Sequence, residues 1–275
     1  MAVYDRYLLL LEVYIALAAP AVLFVDAPHG KFRNQSRLFR SGFLPGRFGW
    51  VLMELVAPTT FVYGLILNEG FGHVQWNPRI VVLCMFYLIH YINRSLIGPL
   101  IFAPHIAPMH VSVLISAIVF NYLNAMGMSG YLVSLSKGNE RASTTLAFVA
   151  GLGLWAFGLY GNVFHDNILY ELRRQKLRTS SAPQQGNENS EVSRDGYRIP
   201  FGGLFRFISC PNYFCEWIEW TGYAIACGPS ARPMIAFVVA EILFMFPRAR
   251  STHKWYQKTF SSYPPQRKAV IPFVA

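Results

Sequence analysis

The stretch IVVLCMFYLIHYINRSLI, residues 80–97, decides the fold. It has nearly the length, and the apolar character, of a helix that crosses a bilayer, which takes about 20 mostly apolar residues. It also contains Tyr87, His90, Tyr91, Asn93 and Arg94. Ionisable groups are costly inside a membrane and mark functional sites by default. Tyr87, Tyr91 and Arg94 are spaced i, i+4, i+7 and share one helical face, with His90 beside it.

Outward from this stretch, the same apolar character recurs. Tyr7 to Val25, Phe48 to Leu67, Pro108 to Met126 and Thr144 to Val163 are spans of similar kind, and two shorter runs, Phe214 to Cys227 and Met234 to Phe246, follow. Of the 275 residues, 53% are hydrophobic and 14% charged, against roughly 25% charged in a soluble domain. Those figures exclude an ordinary soluble enzyme and a disordered chain. The expected architecture is all-α: a single polytopic membrane domain of seven transmembrane helices. A polar loop at 164–212 and a tail at 247–275 belong to the cytoplasmic side.

The charges orient the spans. Alternating loops place 19 of the 24 Lys and Arg on one side, with only Arg6, Arg79, Lys137, Arg141 and Arg232 on the other. The positive-inside rule then puts the N-terminus outside and the C-terminus in the cytoplasm. Tyr7 to Val25 is read as a span rather than a signal peptide, because only Arg6 precedes it and five basic residues follow.

Several motifs carry no function. Gly151-Leu-Gly153-Leu-Trp-Ala156 satisfies G-x-G-x-x-A but lies inside an apolar span, where small residues serve close helix packing. A dinucleotide fingerprint needs a strand before it. Asn34 and Asn93 fit the glycosylation pattern but fall on the cytoplasmic side and in the membrane. Cys84, Cys210, Cys215 and Cys227 form no C-x-x-C pair, so no metal site is expected. The net charge of +10 is spread over membrane-flanking loops, so it implies no nucleic acid.

Further polar groups gather near the ends of the spans. Glu54 lies in span two, Asn121 and Asn124 in span four, and Asn162, His165 and Asp166 end span five, followed by Glu171, Arg173 and Arg174. A polar, basic cytoplasmic side suits a phosphate-bearing anion held by Arg forks. Lys176 and Arg178 read simply as interface markers.

The second half contains GNVFHDNILYELRR (161–174), YRIPFGGLFRFISCPNYFCEWIEWTGYA (197–224), RARSTHKWY (248–256) and YPPQRKAVIPF (263–273). In order and spacing these resemble the steroid 5-alpha-reductase family over roughly residues 160 to 275. Before that, the resemblance rests on Glu54 after Trp50 and on His90-Tyr91 followed by Arg94. It implies an NADPH-dependent reductase that acts on the C4–C5 double bond of a 3-oxo-4-ene steroid, in a bacterial inner membrane or the endoplasmic reticulum. Carried over, Glu54 and Tyr91 look like the pair that holds the substrate carbonyl, with Trp50 bordering the steroid. Asn162, Asp166, Arg173, Tyr197, Arg198, Asn212, Glu216, Arg248, His253 and Tyr256 look like NADPH contacts, with Arg94 toward the phosphates. The sequence departs from animal relatives in IFAPHIAP after span three, where His105 is the only polar candidate, in a longer insert at Ser180 to Ser193, and in a single histidine, His253, before the last Tyr of that motif. A monomer among membrane lipids is expected. The open alternatives are a reductase of another lipid enone or enal, such as a polyprenal or enoyl thioester, and more distantly a membrane methyltransferase.

Overall fold

The computed structural model describes residues 4–32, 41–68, 70–180, 191–193 and 196–274, with the side chains of 178–180 excepted. Asn34, most of the insert at 180–193 and the side chain of Arg178 lie outside the described residues. Seven α-helices occur among those described: α1 (Asp5–Phe24), α2 (Gly46–Ile66), α3 (Pro78–Ile92), α4 (Val111–Ser136), α5 (Thr145–Ser180), α6 (Pro211–Cys227) and α7 (Arg232–Thr259). Five spans are long and apolar enough to cross a membrane: α1, α2, α4, α5, and α3 taken with its continuation to Phe102. The other two fall short for physical reasons: α6 has 17 residues and holds Glu216 and Glu219, and the second half of α7 is rich in Lys and Arg.

The helices alternate in direction. At one end Tyr4 donates to Glu140 at 2.5 Å, Arg79 donates to the Ser143 carbonyl at 2.6 Å, and Lys137 donates to the Phe71 carbonyl at 2.8 Å. Arg232 stands 3.6 Å from Asp5 at that same end. At the other end lie 26–32, the start of α2, and a short antiparallel ladder of β1 (Phe43–Leu44) with β2 (Met109–His110). This two-rung ladder was not expected from the all-α reading, because two residues leave no periodicity to detect.

Three differences from the expected spans matter for the site. First, α3 does not end as an ordinary helix. It continues as a π-helix over Asn93–Phe102, closed by Ala103 N–H donating to the Gly98 carbonyl at 2.8 Å. Second, α5 runs 17 residues past Val163, so the first third of the expected loop 164–212 is helix. The sequence ELRRQK favours that extension, and Arg174 braces it by pairing with Glu171 at 3.1 Å and donating to the Phe102 carbonyl at 2.6 Å. Third, α7 continues to Thr259, well into the expected tail.

The closest helix contact joins α5 to α6. A Cβ on Gly151 would lie 2.6 Å from both Ala226 N and Gly222 O, and one on Gly158 would lie 2.6 Å from Glu219 Cα. Of the G-x-G-x-x-A stretch, Gly151 is thus a packing position, as its place in an apolar span predicts, whereas Gly153 and Ala156 are exposed. That backbone approach brings Asn162 and Asp166 of α5 against Asn212 and Glu216 of α6.

Candidate functional site

A cleft opens where α2, α3 and α5 meet, lined by Trp50, His90, Asn93, Arg94, Asn162 and Asp166, with Tyr170 at its edge. The π-helical turn begins at this wall. Arg94, one residue into it, lies between two carboxylates: its Nε is 3.3 Å from Glu54 Oε1 and its Nη1 3.5 Å from Glu216 Oε1. Trp50 caps the arrangement. Its Nε1 donates to the Arg94 carbonyl at 3.1 Å, and its ring lies 5.3 Å from the guanidinium carbon. Glu54 and Glu216 are both buried.

Tyr91 is buried beside this network. Its ring lies 4.6 Å from that of Tyr87 and 5.8 Å from that of Trp220. The described contacts of Glu54 run to Arg94 rather than to the phenol. On the α5 side, Asn212 Nδ2 donates to Asp166 Oδ1 at 3.0 Å, and Asn162 is buried next to them. Trp50, Glu54, Tyr91, Arg94, Asn162, Asp166, Asn212 and Glu216 thus form one neighbourhood drawn from four helices.

The remaining expected residues form a second neighbourhood at the same end of the bundle. Tyr197 packs with Ile199, Tyr256, Phe260 and Tyr263. The segment that carries Tyr197 and Arg198 is tied back by an antiparallel bridge between Val192 and Arg198. Glu191 pins it, accepting from Ser261 N and Ser262 N at 3.0 Å each and from Ser262 Oγ at 2.7 Å. These hydrogen bonds hold the Glu191 carboxyl at about 2, below the usual carboxylate range. His253 Nδ1 lies 2.6 Å from Ser209 Oγ, which lies 2.6 Å from the Tyr263 hydroxyl. Burial lowers the His253 ring below its ordinary value.

Arg248 is engaged by main chain. It donates to the carbonyls of Ala27 at 2.9 Å and His29 at 3.0 Å, and its Nη2 approaches His29 Nε2 at 3.3 Å. Burial, helped by Arg248, pushes the His29 ring down to about 3. Arg173 is exposed on the α5 extension, 5.7 Å from the Tyr170 ring.

Sequence reasoning passed over three residues near the site. Lys31 sits over the rings of Tyr256 at 4.4 Å and Trp255 at 4.6 Å, and burial pushes it down to about 7. Glu219 is fully buried with Oε1 at 2.6 Å from His90 Nδ1, and Glu241 of α7 has a buried Oε2. The last two were detectable, since each is a carboxylate inside an apolar run.

Comparison with known proteins gives a consistent result. A family model described as 3-oxo-5-alpha-steroid 4-dehydrogenase matches residues 107–190 and 187–275. An uncharacterised protein of Schizosaccharomyces pombe is 46% identical over 98% of this chain and 99% of its own length. A steroid 5-alpha-reductase of Arabidopsis thaliana is 34% identical, covering 98% of this chain and 96% of its own length. A 3-oxo-5-alpha-steroid 4-dehydrogenase 1 of Bos taurus is 31% identical over the full length of both.

Proposed function

This chain belongs to the 3-oxo-5-alpha-steroid 4-dehydrogenase family, and from that premise we propose that it reduces the C4–C5 double bond of a 3-oxo-4-ene steroid with NADPH. The observation that carries the reading is the pair of buried residues Glu54 and Tyr91 beside Arg94, which lines the cleft and lies 3.3 Å from Glu54. The proposal includes seven membrane spans, with the N-terminus outside and the C-terminus in the cytoplasm.

The donor set fits the cofactor. Asn162, Asp166 and Asn212 offer the mixed donors and acceptors that a carboxamide needs. Beyond them stand Arg173, Lys31 and the tyrosines at 197 and 256, which suit phosphates and a stacked ring. Arg198, Glu216, Arg248 and His253 complete the proposed contacts. When bound, NADPH supplies the hydride for the β carbon of the enone.

The protein's own work is electrostatic. As hydride arrives, charge collects on the substrate carbonyl oxygen, and a fixed donor there lowers the barrier. Tyr91 is the neutral donor. Glu54 shares the carbonyl site and, through Arg94, ties it to Glu216 on α6. Trp50 borders the steroid, and the apolar spans admit it from lipid. Trp50 and Tyr170 in the cleft lining limit the access of water to the reacting carbon.

The test is NADPH oxidation by purified protein with testosterone, progesterone, an enoyl thioester and a polyprenal in separate assays. Oxidation with the steroids supports the reading. Oxidation with only the thioester or the polyprenal selects the alternative reductase. Saturable binding of S-adenosylmethionine, with no response to NADPH, would select the methyltransferase alternative.

A further inference from the structure

Behind the cleft wall lies a chain of ionisable groups longer than carbonyl binding requires. Glu54, Arg94, Glu216, His90 and Glu219 follow one another: 3.3 Å from Arg94 Nε to Glu54, 3.5 Å from Arg94 Nη1 to Glu216, 3.9 Å from Glu216 to His90 Nε2, and 2.6 Å from His90 Nδ1 to Glu219. Glu241 of α7 adds a carboxyl with a buried Oε2, and Asp166 of α5 lines the cleft. Glu54, Glu216, Glu219 and Glu241 are four carboxyls against one permanent cation, Arg94. Net negative charge of that size is not sustained in a buried, low-dielectric site, so the cluster retains protons. The Oε2 atoms of Glu219 and Glu241 are buried with no hydrogen-bond partner among the described residues. An unpartnered carboxyl oxygen is where a retained proton, or its movement, finds room.

We propose that His90 and Glu219 form a proton relay that completes the reduction, with Glu241 as part of its store. The inference rests on the reductase reading above. Hydride addition to the β carbon leaves the substrate as an enolate, and the product needs a proton at the α carbon. His90 and Arg94 are the members of the chain that line the cleft, and of the two only the imidazole readily gives up a proton. The enolate's electron pair forms the new C–H bond at the α carbon as the N–H bond at His90 Nε2 breaks, and the carbonyl re-forms. The Glu219 O–H proton moves across the short contact onto His90 Nδ1. His90 finishes as the other neutral tautomer and Glu219 as a carboxylate, which regains a proton from Glu241 or from water. No charge is left on the imidazole at any stage. His90 is thereby the donor, and Glu219 is a positioning and proton-supplying residue acting through it.

The experiment uses full-length purified protein in lipid nanodiscs with a 3-oxo-4-ene steroid. It compares wild type with Glu219→Gln, Glu219→Asp and Glu241→Gln. Turnover is measured in H2O and D2O, with NADPH and with NADPH deuterated at the transferred hydrogen. In Glu219→Gln, kcat should fall roughly a hundredfold, in the range of a lost general acid, with KM little changed. The solvent isotope effect should rise and the cofactor isotope effect should fall toward unity, because protonation becomes limiting. Glu219→Asp should recover part of the rate, and Glu241→Gln should show the same pattern more weakly. A purely structural role would lower activity with both isotope effects unaltered, and that result overturns the relay. If Glu219→Gln does not accumulate in folded form, Glu241→Gln is read by the same criterion. A wild type that fails to oxidise NADPH with any of the enones overturns the reductase reading and the relay with it. A wild type that turns over, beside variants with unchanged isotope effects, overturns the relay alone.

Discussion

Arg94 Nε stands 3.3 Å from Glu54 Oε1, so a cation on the π-helical turn and an acid on α2 hold two helices together inside the site. The same guanidinium reaches Glu216 at 3.5 Å. Removing the cation strands two buried carboxylates, whereas neutralising Glu54 strands none. Breaking a buried pair in this way costs about 3–5 kcal/mol. Arg94→Ala should therefore melt far below wild type in detergent, and Glu54→Gln close to it. Equal melting temperatures for the two variants would remove the pairing from the account.

Tyr91→Phe separates chemistry from packing. The ring keeps its contacts with Tyr87 and Trp220, and only the donor is lost. Turnover should drop by about a hundredfold or more, the scale of a lost oxyanion donor, while NADPH titration by fluorescence stays near wild type. Glu54→Gln should behave likewise. A variant of either residue with near-normal turnover would strike that residue from the mechanism.

The α5–α6 contact should be unusually intolerant. Gly151→Ala places a methyl group 2.6 Å from backbone atoms of α6, and Gly158→Ala does the same at Glu219. Backbone cannot move aside as a side chain can, and overpacking of this kind costs about 1–3 kcal/mol. Separation of the helices would also part Asn212 from Asp166. Both substitutions should lower the melting temperature and weaken NADPH binding together. Gly153→Ala, with nothing within 4 Å of the added carbon, should be neutral by both measurements.

Acid should loosen the segment that Arg248 holds. His29 faces a guanidinium donor and is neutral in the fold, with its ring pushed down to about 3. Because the folded value lies below the unfolded one, the stabilising contribution is complete above the ordinary histidine range. It is lost as pH falls toward the folded value. Between about pH 7 and pH 4, wild type should lose thermal stability more steeply than His29→Gln, which keeps an acceptor but cannot titrate. Parallel pH profiles for the two proteins would contradict a neutral His29.

The helices were legible because apolar runs and loop charges need no tertiary information. Gly151 could be assigned to packing for the same reason, since a span cannot also be a strand. The partner of Glu54 was not legible. The face shared by Tyr87, Tyr91 and Arg94 assumes an ordinary helical repeat, and the π-helix beginning at Asn93 changes that phase just where Arg94 departs. The main-chain partners of Arg248, the Ala27 and His29 carbonyls, were not legible either, because the contact spans most of the chain. Glu219 was readable in principle, three residues after Glu216 and so on nearly the same face. It was obscured by being read as part of a short apolar run.

The 36 residues of α5 make a rod of about 54 Å, set against a hydrocarbon layer of about 30 Å. Some 20 Å of it must therefore stand clear of the oil. On the proposed function, an oil-soluble reactant and a water-soluble one meet along a single rigid rod that samples both phases. Such a catalyst responds to surface density rather than to bulk molarity. Diluting the same steroid into more lipid should slow it even when the total steroid concentration is held constant, whereas diluting the lipid bodies themselves into more buffer should leave the steroid dependence unchanged.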